Sequence, residues 1–509
     1  MSENNDEKKV EIKLKRHLWP DEKEALEAEK KKKMTQVMLG VLVCALICGA
    51  LALGMYLGRQ SREIIYVDNN SSSTYNGTQV SRFETIYSIL GEDWWFAKDL
   101  DDPATDLIDR AISGMIGSDL DPHSEYMTAE EALQFAQSID LGFVGIGVQY
   151  TKLEDSILIL KVFYDAPAYR AGLQPGDLIT EVDHDSVAEW DTDTIKSRVQ
   201  GEEGTVVNIT YLREGTEYNV DIVRGTVENS IYGEIVDDYG YLELYQFSSA
   251  GPSEVAKYLE YFKSNGIDKL IIDVRDDGGG YLSSLIGIAN LFLDKGEIIL
   301  TQDYADGSVV ESRADGKNTY HFERMVILGN ENSASASEAL IGCLTQNNKA
   351  TFIGVTTYGK STIQIPYSFS DGSTLKYTHG VWHTPNGDVI NKVGIEPDIR
   401  VELHPVLNMA FVYVEEDETL KYDMVDSRLV TMQYSLDFLG YEVDRFDGYF
   451  SRTMEEAVKA FQKDMEISAS GEVDAETCSL LNAEVVRVYN LDTMKYDTQL
   501  LKAIEVIHE

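Results

Sequence analysis

The spacing of apolar residues changes several times along the chain. Residues 34–58 form an apolar run without a charge, and this run exceeds the roughly 20 residues that a helix needs to cross a bilayer core. After a polar segment rich in serine and asparagine, apolar residues recur at helical spacing within 83–90 and again within 107–115. The pattern therefore predicts a transmembrane helix, a flexible tether and a helical N-terminal region.

Short runs rich in β-branched residues follow, with turn residues between them. These runs cover 157–162, 177–182, 206–212 and 218–223, and Pro175-Gly176 is one of the turn signals. The pattern predicts a compact domain of mostly β structure.

From residue 240 onward, apolar strands alternate with helical stretches. The strand-like segment 269–274 precedes the helical segment 283–293, and 325–328 precedes 335–344. This alternation favours an α/β core with a partly parallel sheet. A final helical unit begins near Asp426, after an acidic connector.

The sequence thus predicts a multidomain chain, as its length also requires. The predicted parts are a cytoplasmic tail (1–33), a transmembrane helix (34–58), a linker (59–79), a helical N-terminal region (80–135), a mostly-β domain (136–226), an α/β core (227–405), a second linker (406–425), a small all-α domain (426–485) and a C-terminal tail (486–509).

Charge narrows the possible partners and the topology. The chain carries 44 lysines and arginines against 87 aspartates and glutamates, a formal net charge of −43. Such a charge repels phosphate backbones, so we expect no nucleic acid partner. Four lysines, 30–33, directly precede the apolar run, so the positive-inside rule places the N-terminus in the cytoplasm and the domains outside. A cleaved signal peptide is the alternative, but its apolar region usually has only about 7–15 residues.

Three serines alternate with alanines just before a predicted helix: Ser333, Ser335 and Ser337. A nucleophile at a helix N-terminus gains from the helix dipole and from free N–H groups that can bind an oxyanion. The alternative is that one serine only caps the helix, with Glu338 completing a capping box. Local reasoning by itself favours the cap.

A serine nucleophile needs a base. None of the 8 histidines lies in a G-x-S-x-G motif, so a Ser-His-Asp hydrolase has no local support. Lysine can act as the base if burial lowers its pKa. Lys360 follows an apolar strand and a glycine turn, which suits this role, although an exposed loop lysine is the simpler interpretation of the residue alone.

Three segments together resemble the carboxyl-terminal processing (tail-specific) protease family. They are the serine motif at 333–338, Tyr358-Gly-Lys-Ser-Thr-Ile-Gln364, and Ile271-Ile-Asp-Val-Arg-Asp-Asp-Gly-Gly-Gly280. The resemblance implies that Ser335 is the nucleophile and Lys360 the general base, and that Gln364 orients the lysine amine.

The same resemblance implies an oxyanion hole formed by the N–H groups of Gly279 and Ala336. This chain departs from the family's Asn-Pro-Gly-Gly and has Asp277-Gly278-Gly279-Gly280. A phosphate-binding loop is the alternative, but both G-x-G-x-x-G and G-K-[ST] are missing.

The mostly-β domain resembles a PDZ domain of the bacterial protease type, on the segments 142–147 and 165–179. The resemblance implies that the N–H groups of Gly145, Ile146 and Gly147 bind the terminal carboxylate of a peptide. The family's Ile-Arg-Gly is replaced by Val199-Gln-Gly201, with Arg198 close by. The segment 121–128 also matches the family, and we interpret it as a structural connector.

The C-terminal unit is similar to the three-helix peptidoglycan-binding domain. A helical packing module that no longer binds this ligand is an equal alternative. His379 and His383 are four residues apart in a strand-like segment, and without a third ligand they indicate no metal site. We expect no cofactor.

The sequence therefore predicts a membrane-anchored extracytoplasmic serine endopeptidase that selects proteins through their free C-termini. The alternative is a non-catalytic PDZ scaffold tethered to membrane and cell wall. A cell-wall hydrolase would need paired carboxylates or metal ligands. The expected partners are protein substrates, the membrane and peptidoglycan, and the sequence leaves open whether the chain forms a homo-oligomer.

Overall fold

The computed structural model describes residues 77–100, 102–116, 121–140, 144–227, 230–317 and 319–509. It divides the chain into two compact units, 1–94 and 95–509. In the first unit it describes the helix Gly77–Glu92. The predicted cytoplasmic tail, the transmembrane helix at 34–58 and nearly all of the first linker lie outside the described residues. Across the described ranges, no helix combines the length and the apolar character needed to cross a bilayer.

The second unit begins with a 3-10 helix, Trp95–Asp99, and the helix Pro103–Ile116, where the apolar spacing predicts a helix. Strand β1 (Glu125–Met127) and the helix Ala129–Asp140 follow. These elements connect to the mostly-β domain.

The mostly-β domain is a six-stranded antiparallel sheet with a small two-stranded ribbon beside it. The sheet has the order β3-β4-β5-β7-β8, with β6 paired to β5, and β2 pairs with β9 in the ribbon. Two helices, Pro167–Ala171 and Thr192–Val199, belong to the same domain. The strands are β2 (Val144–Gly145), β3 (Val148–Lys152), β4 (Ile157–Val162), β5 (Leu178–Val182), β6 (Asp185–Ser186), β7 (Val206–Arg213), β8 (Thr216–Val223) and β9 (Gly225–Thr226).

The α/β core is built on two sheets. The first has the order β10-β11-β12-β15-β16-β19 and is parallel from β11 onward. The second has the order β1-β18-β13-β14, with β17 paired to β18. The strands are β10 (Ile231–Val236), β11 (Tyr239–Leu244), β12 (Lys269–Asp273), β13 (Ile298–Tyr304), β14 (Val309–Arg313), β15 (Arg324–Gly329), β16 (Thr351–Gly354), β17 (Thr362–Ser368), β18 (Thr374–His383) and β19 (Ile399–Arg400).

Both faces of the parallel sheet are buried. Alternate residues of β12 show this, because Leu270 and Ile272 pack in the main core cluster while Ile271 packs on the opposite face. The main cluster includes the helices Gly251–Ser264, Leu282–Ala289 and Ala336–Gln346. Since β12 and β15 are parallel neighbours, the loops that follow them meet at the same sheet edge.

The last part of the chain is helical and contacts both preceding domains. Its helices are Arg428–Phe438, Arg452–Asp464, Ala475–Leu491, Thr493–Tyr496 and Thr498–Ile507. One apolar cluster joins this region to Leu153, Leu158 and Leu178 of the mostly-β domain. The predicted C-terminal tail, 486–509, is therefore structured, and Ala503 and Ile507 cover the second face of the parallel sheet.

A buried ion-pair network anchors this final helix. Arg275, just after β12, donates to Asp273 and to Asp497, with Nη2–Oδ2 and Nη1–Oδ1 distances of 2.6 and 2.9 Å. Its Nη1 also donates to Gln499 (3.2 Å). Tyr241 donates its hydroxyl to Asp273 at 2.7 Å. Each buried charge in the network has an oppositely charged partner.

Candidate active site

The three alternating serines have different environments. Ser333 is buried and its hydroxyl donates to the carbonyl of Val274 (2.7 Å), while Ser337 is buried and donates to the carbonyl of Asp277 (2.9 Å). Both serines thus tie their loop to the loop after β12. Ser335 lies between them and lines a cavity. Of the three, only Ser335 is in a position to react with a bound ligand.

Ser335 has an unusual backbone conformation. It precedes the helix Ala336–Gln346 with φ of 57° and ψ of −112°, which is strained for a residue that is not glycine. Its N–H donates to the Glu338 carboxylate at 2.9 Å, so these two residues occupy the positions of a capping box. The Ser335 side chain forms no cap hydrogen bond. The cap and the nucleophile interpretations are therefore compatible, because the cap uses the backbone and leaves the hydroxyl for chemistry.

Glu338 joins the serine loop to the lysine loop, a role that the sequence analysis did not assign. This buried carboxylate also accepts hydrogen bonds from the hydroxyl of Thr357 (2.6 Å) and from the N–H groups of Gly359 (2.6 Å) and Lys360 (2.8 Å). The sequence feature that could have indicated this role is a carboxylate in an otherwise apolar helix directly after the serine motif. Glu338 fixes the backbones of Ser335 and Lys360 relative to each other.

Lys360 lines the same cavity as Ser335 and is partly buried. Burial lowers the pKa of its amine, and the charge of Lys376 lowers it further, while Glu338 acts in the opposite direction. Its amine forms no ion pair with a carboxylate of the described ranges. The lowered pKa and the lack of an ion pair both favour the neutral amine, which is the form that can accept a proton.

The cavity has a volume of about 380 Å³, and both apolar and polar side chains line it. Gly278, Gly280 and Ala336 contribute backbone to its wall. Its apolar lining includes Phe135, Ile139, Leu282, Leu285, Leu300, Ala339, Ile363 and Trp382.

Gln364 lines the cavity, but its amide is bound elsewhere. Its Nε2 donates to the hydroxyl of Thr378 (3.1 Å), which in turn donates to Asp121 (3.1 Å). The structure thus brings Gln364 near Lys360 without a hydrogen bond between their side chains.

The connector at 121–128 also contributes a residue to the cavity that the sequence analysis missed. Asp121 and Ser124 bind Thr378 of β18, and His123 between them lines the cavity. Burial lowers the pKa of His123, and Lys360 lowers it further, while Asp121 raises it. The available signal was a histidine, His123, within the segment 121–128 that matches the family.

The two predicted oxyanion donors differ in their availability. Ala336 lines the cavity at the start of its helix. Gly279 has φ of +99°, and a Cβ there would lie 2.8 Å from the carbonyl oxygen of Ala334, so only glycine fits. Its N–H, however, donates to Oδ1 of Asp277 at 2.8 Å. In this arrangement the Gly279 donor is already occupied.

The predicted carboxylate-binding loop lies at one end of the mostly-β domain. Gly145 pairs with Gly225, and the carbonyls of Ile146 and Gly147 accept the N–H groups of Ala168 (2.8 Å) and Phe163 (3.1 Å). Gly142 and Phe143 lie outside the described residues. The pairing of Gly145 and the two carbonyl bonds of Ile146 and Gly147 thus hold this loop to the domain's own backbone.

Arginine near this loop is used structurally. Arg198 binds Asp185 at 3.3 Å and stacks on Trp190. Arg224, which the sequence analysis did not consider, is buried and donates to the carbonyls of Val199 (3.0 Å) and Arg198 (2.7 Å). Its cation therefore compensates the C-terminal end of the helix Thr192–Val199.

The two histidines of β18 have separate surroundings. His383 Nε2 lies 3.0 Å from Asp303, whereas His379 packs against Tyr304 and Tyr377. Within the described ranges, no group of three histidine, cysteine or acidic residues is arranged to hold a metal ion.

Family models match three parts of the chain. Residues 238–401 match peptidase family S41, 144–223 match the PDZ domain, and 426–481 match the putative peptidoglycan binding domain. These matches name the α/β core, the mostly-β domain and the small helical domain.

Similar proteins of known family name agree with this assignment. A probable CtpA-like serine protease of Staphylococcus epidermidis (strain ATCC 12228 / FDA PCI 1200) is 32% identical over 425 residues, 83% of this chain and 84% of the relative. A protein of the same name from Staphylococcus aureus (strain COL) is 32% identical over 434 residues, 84% and 85% of the two chains. Among solved structures, the photosystem II D1 C-terminal processing protease is 22% identical, with a TM-score of 0.42, over 64% of this chain and 94% of that one. By its identity to relatives that it matches over most of their length, this chain belongs to peptidase family S41 and is a carboxyl-terminal processing serine protease.

Proposed function

We propose that the chain is a membrane-anchored endopeptidase outside the cytoplasm, which cuts proteins with a Ser335–Lys360 dyad and selects them through their C-termini. One observation carries the proposal: Ser335 and a partly buried lysine with a lowered pKa line the same cavity, and Glu338 binds the backbones of both.

In the proposed reaction, the hydroxyl oxygen of Ser335 attacks the scissile carbonyl carbon, and the neutral amine of Lys360 takes the hydroxyl proton. The N–H of Ala336 donates to the oxyanion. The protonated Lys360 then gives its proton to the leaving amine, which departs and leaves an acyl group on Ser335. Water activated by the neutral lysine hydrolyses this ester and frees the serine.

The lining of the cavity supports a preference at the cut site. Leu285, Leu300, Ile363 and Trp382 surround space beside Ser335. Burying an apolar side chain there is favourable, whereas a lysine or arginine would lose its hydration and meet the charge of Lys376 in the same lining. We therefore propose that the residue before the cut is apolar.

Anchoring and location are proposed from the sequence. The apolar run at 34–58 has the length of a membrane span, and the lysines 30–33 before it support a cytoplasmic N-terminus. With this orientation the protease core and the PDZ domain lie outside. The peptidoglycan-binding match at 426–481 supports peptidoglycan as a ligand of the helical domain.

Selection by the C-terminus is proposed from the PDZ match and the loop at Gly145–Gly147. A PDZ domain binds a terminal carboxylate through backbone N–H groups while a strand pairs with the peptide. Binding favours the active arrangement only as far as the peptide prefers it. Substrate bound in this way would control access to the dyad.

The test uses the full chain in detergent and an unfolded protein substrate of defined C-terminus. Ser335→Ala and Lys360→Met should each abolish cleavage while thermal unfolding stays cooperative. The rate of the unmodified protein should rise with pH through the lowered pKa of Lys360. The matched control is Lys376→Met, which removes a second lysine from the cavity lining.

Because the charge of Lys376 lowers the pKa of Lys360, this control should remain active with its rising limb moved to higher pH. Full activity of Lys360→Met at any pH would refute the dyad and leave the scaffold alternative or another base. A substrate with an amidated C-terminus should be cut more slowly than the free acid. Equal rates for the two would refute selection by the C-terminus.

A further inference from the structure

Asp277 is a buried carboxyl group that the proposed reaction does not use. Its side chain is fully buried, and Oδ1 accepts the N–H of Gly279 at 2.8 Å. Oδ2 has no hydrogen-bond partner among the described residues. Leaving a buried polar oxygen unpaired costs free energy, so stability alone does not explain an aspartate at this position.

The backbone of Asp277 is part of the serine loop's support. Its carbonyl accepts the N–H of Ala334 (3.0 Å), one residue before Ser335, and the hydroxyl of Ser337 (2.9 Å), two residues after it. These bonds fix the backbone of Asp277 relative to the serine loop. Movement of the serine loop and movement of Asp277 are coupled by these two bonds.

The Gly279 N–H has two possible acceptors. One is the Asp277 carboxyl oxygen observed here, and the other is the oxyanion of the substrate, to which the family resemblance assigns this donor. An ionised carboxylate accepts such a bond more strongly than a neutral acid does. A negative charge at this place would also repel the developing oxyanion.

We propose that Asp277 is a positioning residue that controls the Gly279 donor: its neutral acid yields the N–H to the substrate oxyanion, and its carboxylate retains it. The inference rests on the proposed function of Ser335. It predicts a loss of activity at high pH that has a different origin from the rise due to Lys360.

The charges around Asp277 support this behaviour. Burial raises its pKa to about 8, while the Gly279 N–H, the Ser337 hydroxyl and the charge of Lys161 act in the opposite direction. Lys161 lies on β4 of the PDZ domain and is paired with Glu243 at the end of β11.

The other charged side chains of this loop are directed to other partners. Asp276 is exposed and accepts hydrogen bonds from the amides of Asn330 (3.0 Å) and Asn332 (2.8 Å). Arg275 is bound to Asp273 and Asp497. Lys161 is therefore the cation that acts on Asp277, and it belongs to the domain proposed to sense the substrate.

The first experiment compares pH profiles of kcat/KM for a short peptide substrate and the full chain. The unmodified protein should show a rising and then a falling limb. Asp277→Asn should lose the falling limb, since its amide keeps the oxygen acceptor and cannot ionise. At pH 9, about one unit above the pKa of about 8, the Asn variant should exceed the unmodified protein by about tenfold relative to their ratio at pH 7.

Asp276→Asn is the matched control. It removes one carboxylate from the adjacent position of the same loop, and that carboxylate binds Asn330 and does not contact Gly279. It should keep the falling limb. A falling limb that persists in Asp277→Asn, or disappears equally in Asp276→Asn, overturns the proposal.

A second variant tests the proposal with the loop unchanged. Because Lys161 lowers the pKa of Asp277, Lys161→Met should move the falling limb to higher pH and should have no such effect in the Asp277→Asn background. A limb that does not move contradicts the inference even if Asp277→Asn fails to fold.

A peptide boronic acid separates this inference from the proposed function, since it forms a tetrahedral adduct with a reactive serine. Failure to modify Ser335 would refute the nucleophile. An adduct on Ser335 whose affinity loses its decline at high pH in Asp277→Asn supports both proposals. An adduct with the same pH dependence in both proteins refutes only the role of Asp277.

Discussion

Two buried aspartates, Asp273 and Asp277, lie four residues apart at the end of β12, and their surroundings are opposite. Burial pushes the Asp273 pKa upward, but the charge and hydrogen bonds of Arg275 outweigh it, and the pKa lies below its ordinary value. Around Asp277 the burial effect prevails, and one carboxyl oxygen has no partner in the described part of the chain. We interpret Asp273 as a stabilising ion-pair partner and Asp277 as a group whose protonation state can change.

The two aspartates also face different neighbours. Asp273 and Arg275 hold the final helix through Asp497. Asp277 faces the serine loop and Gly279. A strongly raised carboxyl pKa without an ion-pair partner, next to a reactive group, is the pattern expected of a functional site rather than of an anchor.

Of the substitutions at this loop, Arg275→Met should have the largest effect on the unfolding free energy. This change leaves Asp273 and Asp497 buried without their cation, and the loss of a buried partner typically costs about 3–5 kcal/mol of unfolding free energy. Urea unfolding measures the loss. Arg313→Met, which removes an arginine from an exposed pair with Glu311, is the control and should change stability little. Equal losses in the two variants would show that the buried network does not anchor the helix.

Gly279→Ala should reduce catalysis, because it alters the backbone of the predicted oxyanion hole. At φ of +99° an alanine is strained, which costs about 1–3 kcal/mol, and its Cβ would lie 2.9 Å from the Ala336 nitrogen. The alanine keeps its N–H, but relieving these contacts should move that group away from the oxyanion, and loss of one oxyanion donor typically reduces kcat by about 10²–10³-fold.

Gly278→Ala is the matched control, because a Cβ there meets no atom within 4 Å. It should lose far less activity than Gly279→Ala, and its unfolding free energy should rise by up to about 1 kcal/mol because the unfolded chain is less flexible. A Gly279→Ala protein with normal kcat would remove Gly279 from the oxyanion hole.

A smaller expected effect is the pH dependence of the unfolding free energy, to which Asp277 and Asp273 contribute differently. The folded chain holds the Asp277 proton up to about pH 8, whereas the unfolded chain releases it near pH 4. Between these values the folded state binds more protons, so the unfolding free energy falls as pH rises, by at most about 1.4 kcal/mol per unit. Asp277→Asn should remove this slope. Asp273 adds no slope in this range, because its lowered pKa keeps it ionised in the folded chain above pH 4, where it is also ionised in the unfolded chain.

Urea unfolding at pH 5.5, 6.5 and 7.5 measures the slope in both proteins. Asp276→Asn, the neighbouring exposed carboxylate, should leave it unchanged. Identical slopes for the unmodified protein and Asp277→Asn would mean that Asp277 is ionised in the folded state across this range.

Much of the fold could be predicted from the sequence, since periodicity is a local property. Short runs rich in β-branched residues predicted the strands β4, β5, β7 and β8 close to their observed bounds, and the strand–helix alternation indicated the parallel sheet. The segment 486–509 was missed as a packed element. Its apolar residues are buried only because a face of the parallel sheet, formed by residues far earlier in the chain such as Ile271 and Ile353, lies against them.

For the candidate site, the sequence by itself determined the residue types and their order: a serine at a helix start, a lysine after a glycine turn, and a glycine loop after β12. These follow from backbone geometry within a few residues, because caps and turns are short-range structures.

Tertiary structure alone decided what each group can do. It buried Ser333 and Ser337 and left Ser335 at the cavity, placed His123 beside Lys360, and gave the Gly279 N–H to Asp277. Burial and charge act through space between residues far apart in sequence, such as Lys161 and Asp277. The pKa of a side chain and the freedom of a donor depend on those neighbours, and no local pattern of residues contains them.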